Sequence, residues 1–292
     1  MIQKPIQEQA FAKLNLSLDV TGKREDGYHE LVMLMQTVSI ADTLTLTQTD
    51  GGLVTASSSL RFIPTDDRNL AVRAARSFLG AIGEREKGVS IHMEKRIPVG
   101  AGMGGGSADA AAVLRGMNRL FGNPLSRRAL EELSSGIGSD VAFCVAGGTA
   151  LARGRGEKLE DLRALPDCVF VVAKPDFSIS TPELYRKLDS APLRRHPDTP
   201  GLLQGIETGD LNAVCRRMYN VFEDLPDRRM RTVSQIKGTL LDHGALGAMM
   251  TGTGSAVFGV FGEPEAAERA REALRQDYRF CVCARPVPRC EV

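Results

Sequence analysis

Alternating apolar and polar residues mark the start of the chain as β-structure. In FAKLNLSLDVTG, leucine and valine alternate with lysine, asparagine, serine and aspartate, and a period of two is typical of a half-buried strand. An Asp-Gly turn, REDGYH, follows this strand. The segments LVMLMQTVSI and DTLTLTQT predict two further strands, and VSIHMEKRIPV predicts a strand that leads into a run of glycines.

Apolar residues at helical spacing occur in both halves of the chain. They predict helices over 69–79 and 108–121, whereas the segment GSDVAFCVAGGTALARGRGEKL predicts two short strands. In the second half, Thr181 is a candidate helix cap with Pro182 at the first helical position. Helices around 208–218, 229–243 and 264–276 alternate irregularly with apolar strands. Because repeated βαβ units are absent, the pattern favours an α+β fold.

Length and charge restrict the possible function classes. At roughly 150 residues a domain, 292 residues suggest two domains, and we place them at 1–157 and 158–292. Lysine and arginine total 37 against 36 for aspartate and glutamate, which argues against a nucleic-acid binder. No stretch reads as a membrane helix or a signal peptide. We expect a cytoplasmic protein that binds neither nucleic acid nor membranes, as a monomer or homodimer.

Glycine is concentrated in the segment PVGAGMGGGSAD, where five glycines fall between Gly100 and Gly106. Glycine allows positive φ and a close approach of the backbone to a ligand. The helix that follows presents unpaired N–H groups and a partial positive charge at its start. The segment therefore predicts an anion-binding loop. We expect Ser107 to cap the helix and Asp109 to lie in its first turn, pointing sideways.

Several phosphate-binding loops have a similar composition. Gly100, Gly102 and Gly105 match the dinucleotide pattern G-x-G-x-x-G, but the acids about twenty residues further on lie in a helical segment, EELSS. No lysine lies between Gly100 and Arg115, which argues against a Walker loop. The H-R-D and D-F-G motifs of protein kinases are absent. A flexible linker is disfavoured by the predicted strand and helix on either side.

The glycine segment PVGAGMGGGSADAA resembles the central motif of the GHMP small-molecule kinases, a superfamily that includes galactokinase, homoserine kinase and mevalonate kinase. Three other segments, AKLNLSLDVTGKREDGYHEL, IGSDVAFCVAGGTALARGRGE and MTGTGSAVFGVF, are similar to the branch whose acceptor alcohol carries a cytidine diphosphate. Together they span nearly the whole chain. The resemblance implies the two-domain GHMP kinase fold, with a ferredoxin-like C-terminal α+β domain.

The resemblance also implies the cofactors and the catalytic residues. ATP and Mg²⁺ are the implied cofactors, and no protein ligand of Mg²⁺ is identified. The implied ATP-binding residues are Pro98, Val99, Gly100, Ala101, Gly102, Met103, Gly104, Gly105, Gly106, Ser107 and Ala108. Asp140 is implied to be the catalytic base and Lys13 its partner, because a lysine near the acceptor stabilises a developing alkoxide and keeps the aspartate ionised. Either residue alone is equally consistent with a solvated surface charge.

A small-molecule acceptor that carries a cytidine diphosphate is implied in the same way. The candidate acceptor-binding residues are Asn15, Tyr28, His29, Lys95, Thr181 and Tyr185. Tyr28, His29 and Thr181 match positions around the cytidine, Tyr185 matches an aromatic position that stacks on the base, and Asn15 matches a contact on the alcohol side. Lys95 is a candidate because it directly precedes the glycine loop.

Some features leave alternatives open. The segment Thr251–Ser255 resembles a third superfamily motif that closes the site, but it also fits an ordinary hairpin turn. Ala108, Asp109 and Ala142 depart from the family pattern. The alternatives are a GHMP kinase for homoserine or mevalonate and a nucleotide-binding regulator that has lost catalysis. The aromatic candidates argue against the first, because those alcohols carry no base, and the Lys13–Asp140 pair argues against the second.

Overall fold

Two β-sheets organise the residues that the computed structural model describes, which are 4–84, 86–190 and 193–290. The strands are β1 (Ile6–Lys23), β2 (His29–Asp50), β3 (Val54–Ser58), β4 (Lys87–Glu94), β5 (Thr149–Gly154), β6 (Lys158–Asp161), β7 (Val169–Lys174), β8 (Tyr219–Asn220), β9 (Gly247–Met250), β10 (Val257–Phe261) and β11 (Phe280–Ala284). The helices are α1 (Leu70–Ala81), α2 (Gly105–Leu120), α3 (Arg127–Ser134), α4 (Val141–Ala146), α5 (Thr181–Asp189), α6 (Thr199–Thr208), α7 (Leu211–Cys215), α8 (Met230–Asp242) and α9 (Pro264–Arg275).

The first sheet is built around the two long N-terminal strands. Its order is β3-β4-β2-β1-β8, and β5 and β6 extend it from the other half of β2. β2 is one strand of 22 residues and not the two strands that the sequence predicts. The pairing with β1 continues across the expected break, since Ala41 pairs with Phe11 and Asp42 with Ala10. The interruption in the apolar pattern therefore marks the point where one strand changes its second neighbour, from β5 at residues 31–36 to β4 at residues 43–50.

The second sheet has the antiparallel order β11-β7-β10-β9, with α8 and α9 packed against it. Two short strands cross the predicted division of the chain. β6 lies after residue 157 but pairs with β5, and β8 pairs in parallel with Ser17 and Leu18 of β1. The domain limits at 157 and 158 stay a prediction.

The helices around the first sheet differ from the sequence predictions at three points. α2 begins at Gly105, three residues before the predicted start, and nearly all of it is buried. Residues 141–146 form helix α4 and not a strand. Every residue of α4 is buried, so its short apolar run has no periodicity that separates a helix from a strand. α6 was not predicted from the sequence.

The α+β character of the fold is nevertheless as predicted, with strands and helices mixed in both halves. Within the described ranges, no helix combines the length and the apolar character needed to cross a bilayer. All six cysteines lie in the described part of the chain and are free, and four of them are buried.

Candidate active site

A cavity of about 690 Å³ lies where the glycine loop, β1, β2 and α5 meet. Nine residues that the sequence analysis singled out line it: Lys13, Tyr28, His29, Gly102, Gly104, Ser107, Asp140, Thr181 and Tyr185. Gly252 and Thr253, from the turn between β9 and β10, complete the wall. The cavity thus collects side chains from both halves of the chain.

Lys13 and Asp140 meet at one end of this cavity. The ammonium Nζ of Lys13 lies 3.3 Å from Oδ2 of Asp140 and donates a hydrogen bond of 2.6 Å to Oδ1 of Asn15. The lysine side chain is 6% exposed and that of the aspartate 25%. Since charges in a partly buried site are weakly screened, the lysine and the carboxylate attract each other strongly. The solvated-surface reading of these two residues is therefore wrong.

Asp140 occupies the cap position of α4, but its side chain forms no capping hydrogen bond. Its carboxylate is turned toward Lys13 and the cavity instead. The sequence predicts a strand directly after Asp140, which would leave the aspartate in the preceding turn, and a helix takes the place of that strand. The position at the end of a turn is unchanged, so the error in the secondary structure does not move the carboxylate.

The glycine loop ends at the N-terminus of α2. Gly104 is the cap residue in the left-handed conformation, with φ of 70°, and no side-chain hydrogen bond caps the helix. Ser107 is inside the first turn, so the expectation that it caps α2 is wrong. The first N–H groups of α2 are thus left without a side-chain acceptor, at the positive end of a 16-residue helix. This arrangement can bind phosphate oxygens.

The turn Thr251–Ser255 packs directly on the glycine loop. Ala256 N donates to Ala101 O at 3.1 Å, and Oγ1 of Thr251 donates to Gly102 O at 3.3 Å. Gly102 has φ of 74°, and a Cβ there would collide with the carbonyl oxygen of Thr251. The turn therefore does more than join two strands, because it fixes the loop from the C-terminal half.

A second cavity of about 260 Å³ lies on the other side of the loop. Its walls are residues 97–106 together with Ile63, Pro64, Asn69 and Asp109. Gly102, Gly104 and Leu70 line both cavities, so the two cavities share part of the loop backbone. One loop between two cavities is an arrangement that suits a group transferred between two ligands.

Lys95 does not join the other acceptor-binding candidates. Its side chain is 3% exposed, and its ammonium is held between the carboxylates of Asp42 and Asp109, below the loop and beside the smaller cavity. Asp42 also accepts a hydrogen bond of 2.8 Å from Ile97 N. Asp109 is therefore buried in an ion cluster. Because α2 begins at Gly105, Asp109 lies beyond its first turn, and the expectation that it lies within that turn is wrong. Burial raises the pKa of its carboxyl from the usual 3.8 to about 7, against the lowering effect of Lys95.

Aromatic side chains line another part of the large cavity, called the aromatic end below. The rings of His29 and Tyr185 pack against each other at a tilt, with centroids 4.6 Å apart, and Tyr28 is 55% exposed. Burial raises the pKa of Tyr185, so its hydroxyl stays protonated. Oγ1 of Thr181 lies 2.8 Å from Oγ1 of Thr253, which joins α5 to the second glycine turn. Tyr28, His29, Thr181 and Tyr185 are thus brought together at one place.

Two residues of this end were missed by sequence reasoning. Nε2 of His29 donates to Oδ1 of Asp189 at 2.6 Å, and the guanidinium of Arg155 lies 4.9 Å from the centroid of Tyr28. Asp189 follows Tyr185 by four residues on α5, and this spacing could have placed both on one helix face. No signal in the sequence points to Arg155.

Comparison with known proteins shows the family to which the chain belongs. The family model described as "GHMP kinases N terminal domain" matches residues 69–148, and that described as "GHMP kinases C terminal" matches 202–279. The chain is 46% identical over 273 residues to the 4-diphosphocytidyl-2-C-methyl-D-erythritol kinase of Syntrophomonas wolfei, covering 93% of this chain and 94% of the relative. It is 46% identical over 272 residues to the enzyme of that name from Bacillus subtilis, covering 92% and 93%.

Solved structures agree in fold. A crystal structure of 4-(cytidine 5'-diphospho)-2C-methyl-D-erythritol kinase superposes with a TM-score of 0.79 at 35% identity, over 96% of this chain and 99% of the other. A homoserine kinase from Cytophaga hutchinsonii superposes with a TM-score of 0.77 at 21% identity, over 98% of this chain and 96% of the other. At this identity the likeness concerns the fold alone. The chain is therefore a kinase of the GHMP class, with the two-domain fold of that class. Within the class it belongs to the family of the 4-diphosphocytidyl-2-C-methyl-D-erythritol kinases.

Proposed function

We propose that this chain transfers the γ-phosphoryl group of ATP to the 2-hydroxyl of 4-diphosphocytidyl-2-C-methyl-D-erythritol, a step of non-mevalonate isoprenoid precursor synthesis. The observation that carries the proposal is the Lys13–Asp140 pair, which lies in one cavity with an uncapped helix N-terminus and an aromatic cluster. A kinase for this acceptor needs a held triphosphate, an oriented hydroxyl and a place for a base. The cavity offers a group for each requirement.

ATP is assigned to the glycine loop and the smaller cavity. Residues Pro98–Ala108 hold its phosphates through backbone N–H groups and through the positive end of α2, while the nucleoside fills the compartment beside Asn69. The fit is supported by the absence of any side-chain cap on α2 among the described residues, since the terminal N–H groups need an acceptor. The γ-phosphate then faces the larger cavity across Gly102 and Gly104.

Mg²⁺ would be held with the phosphates of ATP at the glycine loop, where it would supply neutralisation of negative charge. In proteins this ion commonly keeps several waters and takes only one or two protein carboxylates. The proposal therefore needs no protein cage, and the described part of the chain holds no group of three or more His, Cys, Asp or Glu side chains that could form one.

The chemistry is a direct in-line displacement. Asp140 accepts the proton of the acceptor's 2-hydroxyl as the oxygen bonds to the γ-phosphorus, and the bond to the β-phosphate oxygen breaks to leave ADP. Lys13 stabilises the negative charge that develops on the attacking oxygen. Asn15 holds the lysine ammonium through its hydrogen bond. A phosphoenzyme is not part of the proposal, because the hydroxyl itself is the nucleophile.

The acceptor is assigned to the large cavity, with its base at the aromatic end. Tyr28, His29 and Tyr185 contact the cytosine, and Thr181 contacts the cytidine where α5 meets the second glycine turn. Asn15 stays assigned to the alcohol side. The position of Lys95 favours a role under the ATP loop over its predicted contact with the acceptor, because its ammonium is held between two carboxylates.

An acceptor panel tests the proposal. ADP release is measured with the cytidylylated methylerythritol, homoserine and mevalonate, each with ATP and Mg²⁺. We expect turnover with the first acceptor only. Turnover with only homoserine or mevalonate would contradict the assignment of the acceptor. ATP binding without ADP release in the presence of any acceptor would identify a nucleotide-binding regulator. The cytoplasm is proposed as the compartment, because ATP is available there and the cysteines are free.

A further inference from the structure

We infer that Arg155 is a specificity-determining residue that binds the diphosphate of the acceptor. The inference rests on the proposed function, because it identifies the group that recognises one part of that acceptor. Arg155 lines the large cavity, and its guanidinium lies 4.9 Å from the centroid of Tyr28. It therefore stands beside the aromatic end, on the route toward the reacting hydroxyl.

The turn that carries Arg155 is fixed against the catalytic residues. Arg155 N donates to Oε2 of Glu157 at 2.6 Å, and Gly156 N donates to Arg153 O at 3.1 Å. A side chain at Gly156 would meet Ser139 O at 3.3 Å and Oδ1 of Asp140 at 3.6 Å, so the turn packs on the segment that holds the proposed base. The position of Arg155 is thus tied to that of Asp140 by the backbone.

The charges of the cavity leave this arginine available. Asp140 is paired with Lys13, and Asp189 with both Lys23 and His29. Among the described residues the guanidinium of Arg155 enters no ion pair, and Asp26, a neighbouring carboxylate, is itself paired with Arg24. A cation that lines a cavity and has no ion pair of its own suits an anionic ligand.

The order of groups in the acceptor specifies which anion this is. The alcohol must lie at Lys13 and Asp140, and the cytosine at Tyr28, His29 and Tyr185, so the diphosphate that joins them lies between these ends. Arg155 contacts Tyr28 from a turn that touches Asp140. A guanidinium binds phosphate oxygens in a bidentate manner while its face stacks on an aromatic ring, which a lysine cannot do equally well.

The inference is tested by measuring the affinity of the full chain for two ligands. The ATP site at the glycine loop is filled with a non-hydrolysable ATP analogue during the measurement. The ligands are CDP and cytidine, which differ only in the diphosphate, and the variants are Arg155→Met, Arg155→Lys and Arg153→Met. Arg153 is a matched control, because it is an exposed arginine of β5 that does not line the cavity. Thermal unfolding and the KM for ATP verify that each variant is folded.

We expect Arg155→Met to weaken CDP binding about tenfold more than cytidine binding, the scale of a lost charged hydrogen bond. Arg155→Lys should weaken CDP binding less than Arg155→Met does. Arg153→Met should bind both ligands as the unchanged chain does. Equal weakening of CDP and cytidine would overturn the inference, since the arginine would then act only by supporting Tyr28. A chain that prefers CDP through Arg155 but does not phosphorylate the acceptor would contradict the proposed function alone. Failure to bind either ligand would contradict both.

Discussion

The ammonium of Lys13 and the carboxylate of Asp140 lie 3.3 Å apart, although the lysine comes from β1 and the aspartate from the start of α4. The stem of Lys13 also packs on the glycine loop, since a Cβ at Gly104 would lie 3.1 Å from its Cγ. Lys13 therefore contacts both the proposed base and the phosphate loop. A change at Lys13 or Asp140 should affect the transfer step more than the binding of ATP.

Asp140→Asn should remove most of the turnover while the fold and ATP binding persist. Asparagine keeps the shape of the side chain but cannot accept the hydroxyl proton, and general bases contribute about 10²- to 10⁴-fold to rates. The measurement is kcat by coupled ADP release, with ATP affinity from nucleotide titration. Asp167→Asn is the matched control, because that carboxylate is 89% exposed and remote from the cavity. Near-normal kcat in Asp140→Asn would refute the base assignment.

Lys13→Met should also lower kcat, by about 10²- to 10³-fold, because it removes the cation at the developing negative charge but keeps an unbranched apolar stem. The ATP KM should change little, since the loop contacts are made by backbone groups. Steady-state kinetics with both substrates varied separate these effects. Lys158→Met, at an exposed position of β6, is the control. A rise in the ATP KM with unchanged kcat would place Lys13 in nucleotide binding instead.

Some parts of this site are predictable from the sequence and others are not. The glycine loop could be found, because a glycine cluster between a strand and a helix is a local pattern with a physical reason. The closeness of Lys13 and Asp140 could not be worked out from spacing, since it depends on the packing of α4 on the first sheet. Only the resemblance to a known family suggested that the two residues work together.

The errors have physical causes. Ser107 had the chemistry of a cap, but the helix begins earlier, at glycines that have low helix propensity and leave the terminal N–H groups free. Lys95 had the charge of a phosphate ligand, but a sequence does not reveal that Asp42 and Asp109 converge on it. The apolar run of α4 carried no usable periodicity. Tertiary packing decided each case.

Asp189→Ala should raise the KM for the acceptor about tenfold, the scale of one lost hydrogen bond to a charged group. Its carboxylate fixes the ring of His29 through the 2.6 Å bond, and the ring packs against Tyr185. The kcat and the ATP KM should stay within about twofold of the unchanged values. Lys23→Met is the control, because it removes the other partner of Asp189 and leaves His29 in place. Equal effects of both changes would mean that surface charge, and not the histidine, matters.

The buried carboxyl of Asp109 should make stability depend on pH. Its folded pKa is raised from 3.8 to about 7, so between these values the folded chain keeps a proton that the unfolded chain has lost. The stabilisation is complete below about pH 4 and is lost as the pH rises through about 7. Urea unfolding at pH 5 and pH 8 measures it, in wild type and in Asp109→Asn.

The stability of wild type relative to Asp109→Asn should fall by more than about 1 kcal/mol from pH 5 to pH 8. The difference between two chains is used because other carboxyls also titrate, and the asparagine removes only this one. Asp50→Asn, at a side chain that is 90% exposed, should leave the pH dependence unchanged. A constant difference between wild type and Asp109→Asn would show that the carboxyl is already ionised at pH 5.

Gly102→Ala should separate the glycine loop from the turn that closes it. The residue has φ of 74°, and an added Cβ would collide with Thr251 O, so backbone strain and overpacking together should cost about 2–4 kcal/mol of unfolding free energy. Because the same backbone faces both cavities, kcat should fall as well. Gly238→Ala is the matched control, since that glycine lies within α8 with no atom within 4 Å of the new methyl group. Gly238→Ala should leave activity unchanged and raise the unfolding free energy by up to about 1 kcal/mol. Equal stability of Gly102→Ala and Gly238→Ala would refute the packing of Thr251 on the loop.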